Sequence, residues 1–217
     1  MTDQAAARRN MVESQLKPNR VTDARILDAM GAVPRERFVP AHLSGVAYVD
    51  EDIEVAPGRH LLEPRVLGRM LQEAAVKPGE RVLVVGAASG YDAAVLAEMG
   101  ASVVAVECDG ELAAAARANL SGIGVAGAEI LEGDLAAGAA RLGPYDLVLV
   151  PGAVPDVPPA IAAQLSDRGR VVAILGEGPV NVATLFSRGP SGLAGRALFD
   201  CGAPALPGFA REPGFVF

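Results

Sequence analysis

The sequence predicts a doubly wound α/β fold, and three observations carry that reading. Strand-length apolar runs alternate with helical patterns from about residue 63 to residue 176, which specifies a parallel sheet covered on both faces. The runs Arg81 to Val85, Ser102 to Val106 and Asp146 to Val150 are continuously apolar after their first residue, as strands buried on both sides are. The first of them ends in the small-residue turn Gly86-Ala87-Ala88-Ser89-Gly90, which leads into a helical pattern.

The elements follow in order. Residues 1–62 predict an N-terminal helical cap. A helical pattern from Gln4 to Leu16 closes at Lys17-Pro18. Thr22 reads as the N-cap of a second helix through Arg25, Ile26, Leu27 and Met30, with Gly31 as its C-cap glycine. Pro34, Pro40, Pro57 and Pro64 exclude one long helix beyond it. A connection this long predicts a lid or binding loop. In the core, residues 63–176, a helix over Val66 to Val76 precedes the strand Arg81 to Val85. There follow a helix Tyr91 to Met99, a strand Ser102 to Val106, a helix Gly110 to Leu120 and a weaker strand Ala128 to Leu131. The strand Asp146 to Val150, a helix Pro158 to Leu165 and the strand Arg170 to Leu175 complete it. Residues 177–217 alternate apolar and turn residues and predict a hairpin at the sheet edge. A length of 217 residues suits one such domain, 1–217.

Composition removes several classes. The net charge of −7, with no Trp and 4% aromatics, speaks against a general nucleic-acid binder. No uncharged run reaches the roughly 20 residues of a membrane helix, and Met1 to Asn10 lacks the apolar stretch of a secretory signal. Two cysteines, Cys108 and Cys201, make no disulfide framework and no metal-ligand spacing. A cytoplasmic protein without a metal is the expectation. His42 reads as structural, and Arg8 and Arg9 as a solvated face.

The chemistry gathers at three strand ends. In a doubly wound sheet, ligands lie outside the carboxyl ends of the strands, near the switch point. At Gly86, Ala87, Ala88, Ser89, Gly90 and Tyr91, small residues admit a ligand to the backbone and a helix start offers free N–H groups. About twenty residues further on, Glu107 follows the next strand, where an acid can accept from both ribose hydroxyls. Cys108 beside it is placed to line the same pocket. Gly133-Asp134-Leu135 follows a third strand, with Asp134 placed for an adenine amine. Each feature alone is also ordinary turn chemistry or a solvated acid; together they predict one adenosine across the sheet edge. The dinucleotide fingerprint needs Gly where Ala88 and Tyr91 stand, which disfavours a nucleotide-dependent dehydrogenase. No Lys-Ser/Thr follows, as a P-loop requires. S-adenosylmethionine carries no phosphate and needs only the tight turn.

At this point the chain resembles the protein-L-isoaspartate (D-aspartate) O-methyltransferases over nearly its whole length. The resemblance includes Met11-Val12-Glu13-Ser14-Gln15-Leu16, Val33-Pro34-Arg35-Glu36-Arg37-Phe38-Val39-Pro40 and Ala47-Tyr48. It continues through Pro78-Gly79, Ser89-Gly90-Tyr91-Asp92-Ala93-Ala94-Val95-Leu96, Gly133-Asp134 and Pro155-Asp156-Val157-Pro158-Pro159. It implies a Rossmann-like methyltransferase sheet with an antiparallel last strand. It also implies methyl transfer from S-adenosylmethionine to the carboxylate of isoaspartyl residues in damaged proteins, with S-adenosylhomocysteine as product. Isoaspartyl proteins or peptides are the expected partners, and a monomer or weak dimer the expected state.

Departures from the family pattern fall at the chemistry. The family's loop over the reacting carboxylate reads Gly-x-Thr-Ile-Ser-Gln-Pro; here it is Gly58-Arg59-His60-Leu61-Leu62-Glu63-Pro64. His60 stands for the threonine, Leu62 for the active-site serine and Glu63 for the glutamine. The family's strand acid is Val84 here, with Asp92 as a candidate substitute. One turn glycine is Ala88, and Gly-Asp-Gly ends in Leu135. If Glu63 faced the substrate carboxylate at about 4 Å, repulsion would cost roughly 4 kcal/mol at an effective dielectric near 20. Arg59, His60 and Arg65 are candidates to offset it. A second reading stays open inside the resemblance: a loop for another nucleophile, or lost turnover.

Overall fold

A computed structural model describes residues 3–189 and 192–209. Its centre is a seven-stranded sheet in the order β5-β4-β3-β6-β7-β8-β9. These strands are β3 (Arg81–Val85), β4 (Ser102–Glu107), β5 (Ala128–Glu132), β6 (Tyr145–Val154), β7 (Leu165–Leu175), β8 (Asn181–Gly189) and β9 (Gly192–Cys201). β3 to β7 run parallel; β8 and β9 are antiparallel. β8 thus reverses against the parallel set and β9 turns back along it, so the last strand is antiparallel to its neighbour, as the resemblance implies. The chain leaves β3 toward β4 and β5, then returns to build β6 and β7 on its other side. That reversal makes the end of β3 the switch point of the sheet, the place where doubly wound folds hold their ligands.

Strand alternation sets two cores. Val82, Val84 and Ala105 face one side, packed with the helices α3 (Pro64–Ala74), α4 (Tyr91–Glu98) and α5 (Gly110–Gly122) and with the cap. Leu83, Val85, Val104 and Val106 face the other, packed with Ile161 of the short α6 (Pro159–Ala162), Leu135, Leu206 and Phe209. The second face therefore depends on a short helix and on the C-terminal segment.

In the cap, α1 (Gln4–Met11) runs into a wider π turn over Val12–Leu16, within the expected helical span. α2 (Ala24–Ala32) is capped by Asp23, whose carboxylate accepts from the Arg25 N–H. Asp23 does this better than the expected Thr22, since it sits one residue nearer. Gly31 lies inside the helix against Val12 instead of ending it. The stretch expected to be irregular contains a small hairpin, β1 (Ile53–Ala56) and β2 (Arg59–Leu61), turned at Gly58. Pro57 beside that glycine conceals the hairpin in the sequence. No helix among the described residues is long and apolar enough to cross a membrane.

Candidate active site

The site is built around Glu107, the last residue of β4, which is completely buried. Its carboxylate accepts from the Arg59 guanidinium at 3.1 Å (Nε) and 2.6 Å (Nη2). It also accepts from the Ala88 N–H at 2.7 Å, the Cys108 N–H at 2.9 Å and the Asp109 N–H at 3.3 Å. A buried carboxylate is stable only when its lone pairs are met in this way. Arg59 is itself buried and reaches Glu107 from β2, across the end of β3. A side chain on Gly86 would lie 3.1 Å from its Nη2.

The turn after β3 is left-handed at three positions. Gly86 has φ of 93° and Gly90 of 96°, both left-handed. Ala88 between them has φ of 45°, an uncommon angle for a residue with a Cβ. The alanine thus holds a backbone shape suited to glycine, and the shape aims its N–H at Glu107. A left-handed alanine costs about 1–2 kcal/mol, against roughly 0.5–1 kcal/mol for glycine's extra unfolded-state freedom. Ala88→Gly is therefore expected to leave stability unchanged or raise it by up to about 1 kcal/mol; a clear drop in the urea midpoint would contradict the strain argument.

The loop residues divide. Leu62 is buried in the core, and its carbonyl accepts from Arg35 Nη2 at 2.8 Å. Glu63 turns to Arg65 at 2.9 Å, so Arg65 is the cation that offsets it. Burial raises the Glu63 carboxyl above its ordinary range, with Arg65 pulling against the rise. The Glu63 N–H is held by Asp52 at 2.8 Å. His60 is half-buried, and its Nδ1 has no hydrogen-bond partner. Gly58, Arg59, His60, Leu62, Pro151 and Leu206 help to line a residual cavity of about 10 Å³, at the lower limit for one water.

The remaining candidates spread around the switch point. Asp134 follows β5 and caps its own turn through the Ala136 N–H at 2.9 Å, while Leu135 is buried on the second core face. Cys108 is exposed, and burial together with Glu107 raises its thiol pKa. Ala87 and Ser89 are buried in the turn, and the Ser89 Oγ has no partner. Tyr91 is fully buried behind it, edge-on to Phe38 at 5.5 Å and under the Arg35 guanidinium at 4.8 Å. Its hydroxyl has no partner, nor has Asp92 Oδ1. Val84 lies in the core beneath.

Two residues escaped the sequence reading as site residues. The sequence marks Arg59 as a member of the loop and a counter-charge to Glu63, not as a partner of Glu107. Leu206 arrives on the C-terminal segment, tied to β6 by the Leu206 N–H to the Ala153 carbonyl at 2.9 Å. Gly152 makes room for it: a Cβ there would lie 2.6 Å from Leu206 Cγ. The apolar run before Pro151-Gly152 was visible, but no local pattern says which distant segment fills it.

The fold defines the class: a Rossmann-like methyltransferase. A solved structure titled protein-L-isoaspartate O-methyltransferase superposes with a TM-score of 0.81 at 25% identity, over 93% of this chain and 67% of that one. A Plasmodium falciparum structure, a putative protein-L-isoaspartate O-methyltransferase in complex with S-adenosyl-L-homocysteine, gives 0.79 at 20% identity, over 93% and 98%. The latter likeness speaks for the fold. A family model described as Protein-L-isoaspartate(D-aspartate) O-methyltransferase (PCMT) matches residues 7–194. The protein-L-isoaspartate O-methyltransferase of Methylorubrum populi is 44% identical over 191 residues, 88% of this chain and 89% of that relative. That of Koribacter versatilis is 36% identical over 201 residues, 93% and 90%. The chain belongs to the protein-L-isoaspartate(D-aspartate) O-methyltransferase family.

Proposed function

We propose that the protein methylates the carboxylate of isoaspartyl residues in damaged proteins, with S-adenosylmethionine as methyl donor. The observation that carries the reading is Glu107: a buried carboxylate at a strand end, beside a left-handed turn, at the switch point of the sheet. The donor set suits the cofactor. What stands at the switch point is two side chains, Arg59 and Leu206, and side chains can turn away where backbone cannot.

Each residue then has a task. Glu107, with Cys108 beside it, holds the ribose hydroxyls. Asp134 and Leu135 flank the adenine. Gly86, Ala87, Ala88, Ser89, Gly90 and Tyr91 form and support the turn toward the methionine part. His60, Leu62 and Glu63 belong to the loop over the substrate carboxylate. When bound, S-adenosylmethionine supplies an electrophilic methyl group on a sulfonium centre. A carboxylate is already ionised at neutral pH, so the protein needs no general base. Its work is to hold the oxygen about 3 Å from the methyl and to exclude water. Leu62 excludes water but offers no hydrogen bond, a loss of about 1–3 kcal/mol relative to a hydroxyl. Glu63, engaged by Arg65, is held from repelling the substrate. A cytoplasmic monomer or weak dimer, acting on isoaspartyl proteins and not on nucleic acid, completes the proposal.

Calorimetry and a methyl-transfer assay test it. S-adenosylhomocysteine is expected to bind and NAD not to; labelled methyl is expected on an isoaspartyl peptide and not on its aspartyl twin. A preference for NAD overturns the reading. Cofactor binding without transfer to the peptide supports the second reading, a relative that methylates another substrate or none.

A further inference from the structure

We infer that Arg59 competes with the cofactor's ribose for Glu107 and, once displaced, receives the substrate carboxylate, so that cofactor must bind first. The inference rests on the function proposed above and adds an order of binding to it.

The first half follows from occupancy. Glu107 has two oxygens, and five donors from the backbone and Arg59 already meet them. Three of those donors are backbone N–H groups within the turn and strand end, which stay where the fold puts them. Arg59 is the one partner on a side chain from elsewhere, 48 residues away in sequence. The Cys108 thiol also touches Oε1, at 3.4 Å, but Arg59 alone among the side chains meets both oxygens, so two ribose hydroxyls reach the carboxylate by taking the place of that guanidinium. The exchange is feasible because an anion-accepting geometry is kept throughout: the backbone donors hold the carboxylate while its outer partner changes. Arg59 is carried by a hairpin of two short strands, whose register slips between Glu54 and Ala56.

The second half follows from where the displaced group must go. Arg59 lines the small cavity of about 10 Å³ together with His60 and Leu62. Leu62 is apolar, and the backbone segments opposite, Pro151 and Pro204 to Leu206, bring no charge. A guanidinium released from Glu107 among these lining residues, none of them acidic, lacks an anion until one arrives, and a substrate carboxylate is such an anion. A planar fork suits it, through two parallel hydrogen bonds. Arg59 thereby does for a leucine-bearing loop what a hydroxyl at position 62 would otherwise do. In the free protein the same arginine fills the space, so peptide has no place to enter before the cofactor has moved it.

Calorimetry with two ligands separates the steps. In Arg59→Gln, S-adenosylhomocysteine is expected to bind at least ten-fold tighter than in the wild type, because its competitor is gone. An isoaspartyl peptide added to the S-adenosylhomocysteine-saturated variant is expected to bind at least ten-fold more weakly. The wild type is expected to bind that peptide only when S-adenosylhomocysteine is present. Arg59→Lys, which keeps the charge if the glutamine variant does not fold, is expected between the two on both counts. A structural ion pair alone would move both affinities the same way or neither. Unchanged or weaker S-adenosylhomocysteine binding in the variants, or unchanged peptide affinity, overturns the inference and leaves the proposed function standing. If neither wild type nor variant binds S-adenosylhomocysteine, the proposed function fails and takes the inference with it.

Discussion

Arg35→Met is expected to destabilise the protein by about 2–6 kcal/mol, because it leaves two buried carbonyls without a donor at about 1–3 kcal/mol each. Arg35 is completely buried. Its Nε donates to the Ala47 carbonyl and its Nη2 to the Leu62 carbonyl, each at 2.8 Å. Its guanidinium covers the Tyr91 ring. One cation thus ties the cap, the loop and the start of α4 together. It also opposes the burial that pushes the Asp92 carboxyl up to about 6. An acid raised in the folded state contributes stability below its unfolded value near 4, and loses it as pH rises through about 6. Without Arg35 the carboxyl rises further, and ionised Asp92 is left deeper in deficit. Urea denaturation is expected to show a larger loss at pH 8 than at pH 5. An equal loss at both pH values would mean that Asp92 does not feel Arg35.

Much of the fold was legible because its strands are buried on both faces and its turns are marked by glycine. Arg81–Val85 needed nothing beyond an apolar run and the Gly86 that ends it. The weakest expectations lay where local sequence does not decide. The helix expected over Pro158 to Leu165 is only Pro159–Ala162, because Leu165 already begins β7 and pairs with Tyr145. The β1–β2 hairpin is three or four residues per strand, too short to show a period.

In the candidate site, the acids and the turn are legible as letters, and their contacts are not. Glu107 is singled out by its place at the end of a strand, a local rule. Its partner Arg59 is not, because a pair between a hairpin and a distant strand end leaves no trace in spacing. The same holds for Leu206, which reaches Gly86 through backbone pairing with Ala153. The departures at Ala88 and Leu62 were visible as letters, yet their meaning came from conformation and burial. Ala88 keeps a glycine-like angle, and Leu62 keeps its carbonyl in use while its side chain joins the core.

Glu107→Gln carries the other large expected effect, and it moves cofactor affinity opposite to Arg59→Gln. S-adenosylhomocysteine binding is expected to weaken at least about 100-fold, since two hydrogen bonds to a charged acceptor contribute about 1.5–3 kcal/mol each. An amide cannot replace the carboxylate here. The Ala88 N–H meets one oxygen, and the Cys108 and Asp109 N–H groups meet the other. Whichever way the glutamine turns, its NH₂ faces a donor. Arg59 is left buried without its anion, and stability falls by about 3–5 kcal/mol. Combining the two changes separates stability from affinity. Adding Arg59→Gln to Glu107→Gln is expected to recover part of the lost stability, because the stranded cation is removed. It is not expected to restore cofactor binding, because the carboxylate is still missing. Recovery of affinity in the double variant would show that Glu107 serves only to neutralise Arg59 and takes no part in holding the ribose.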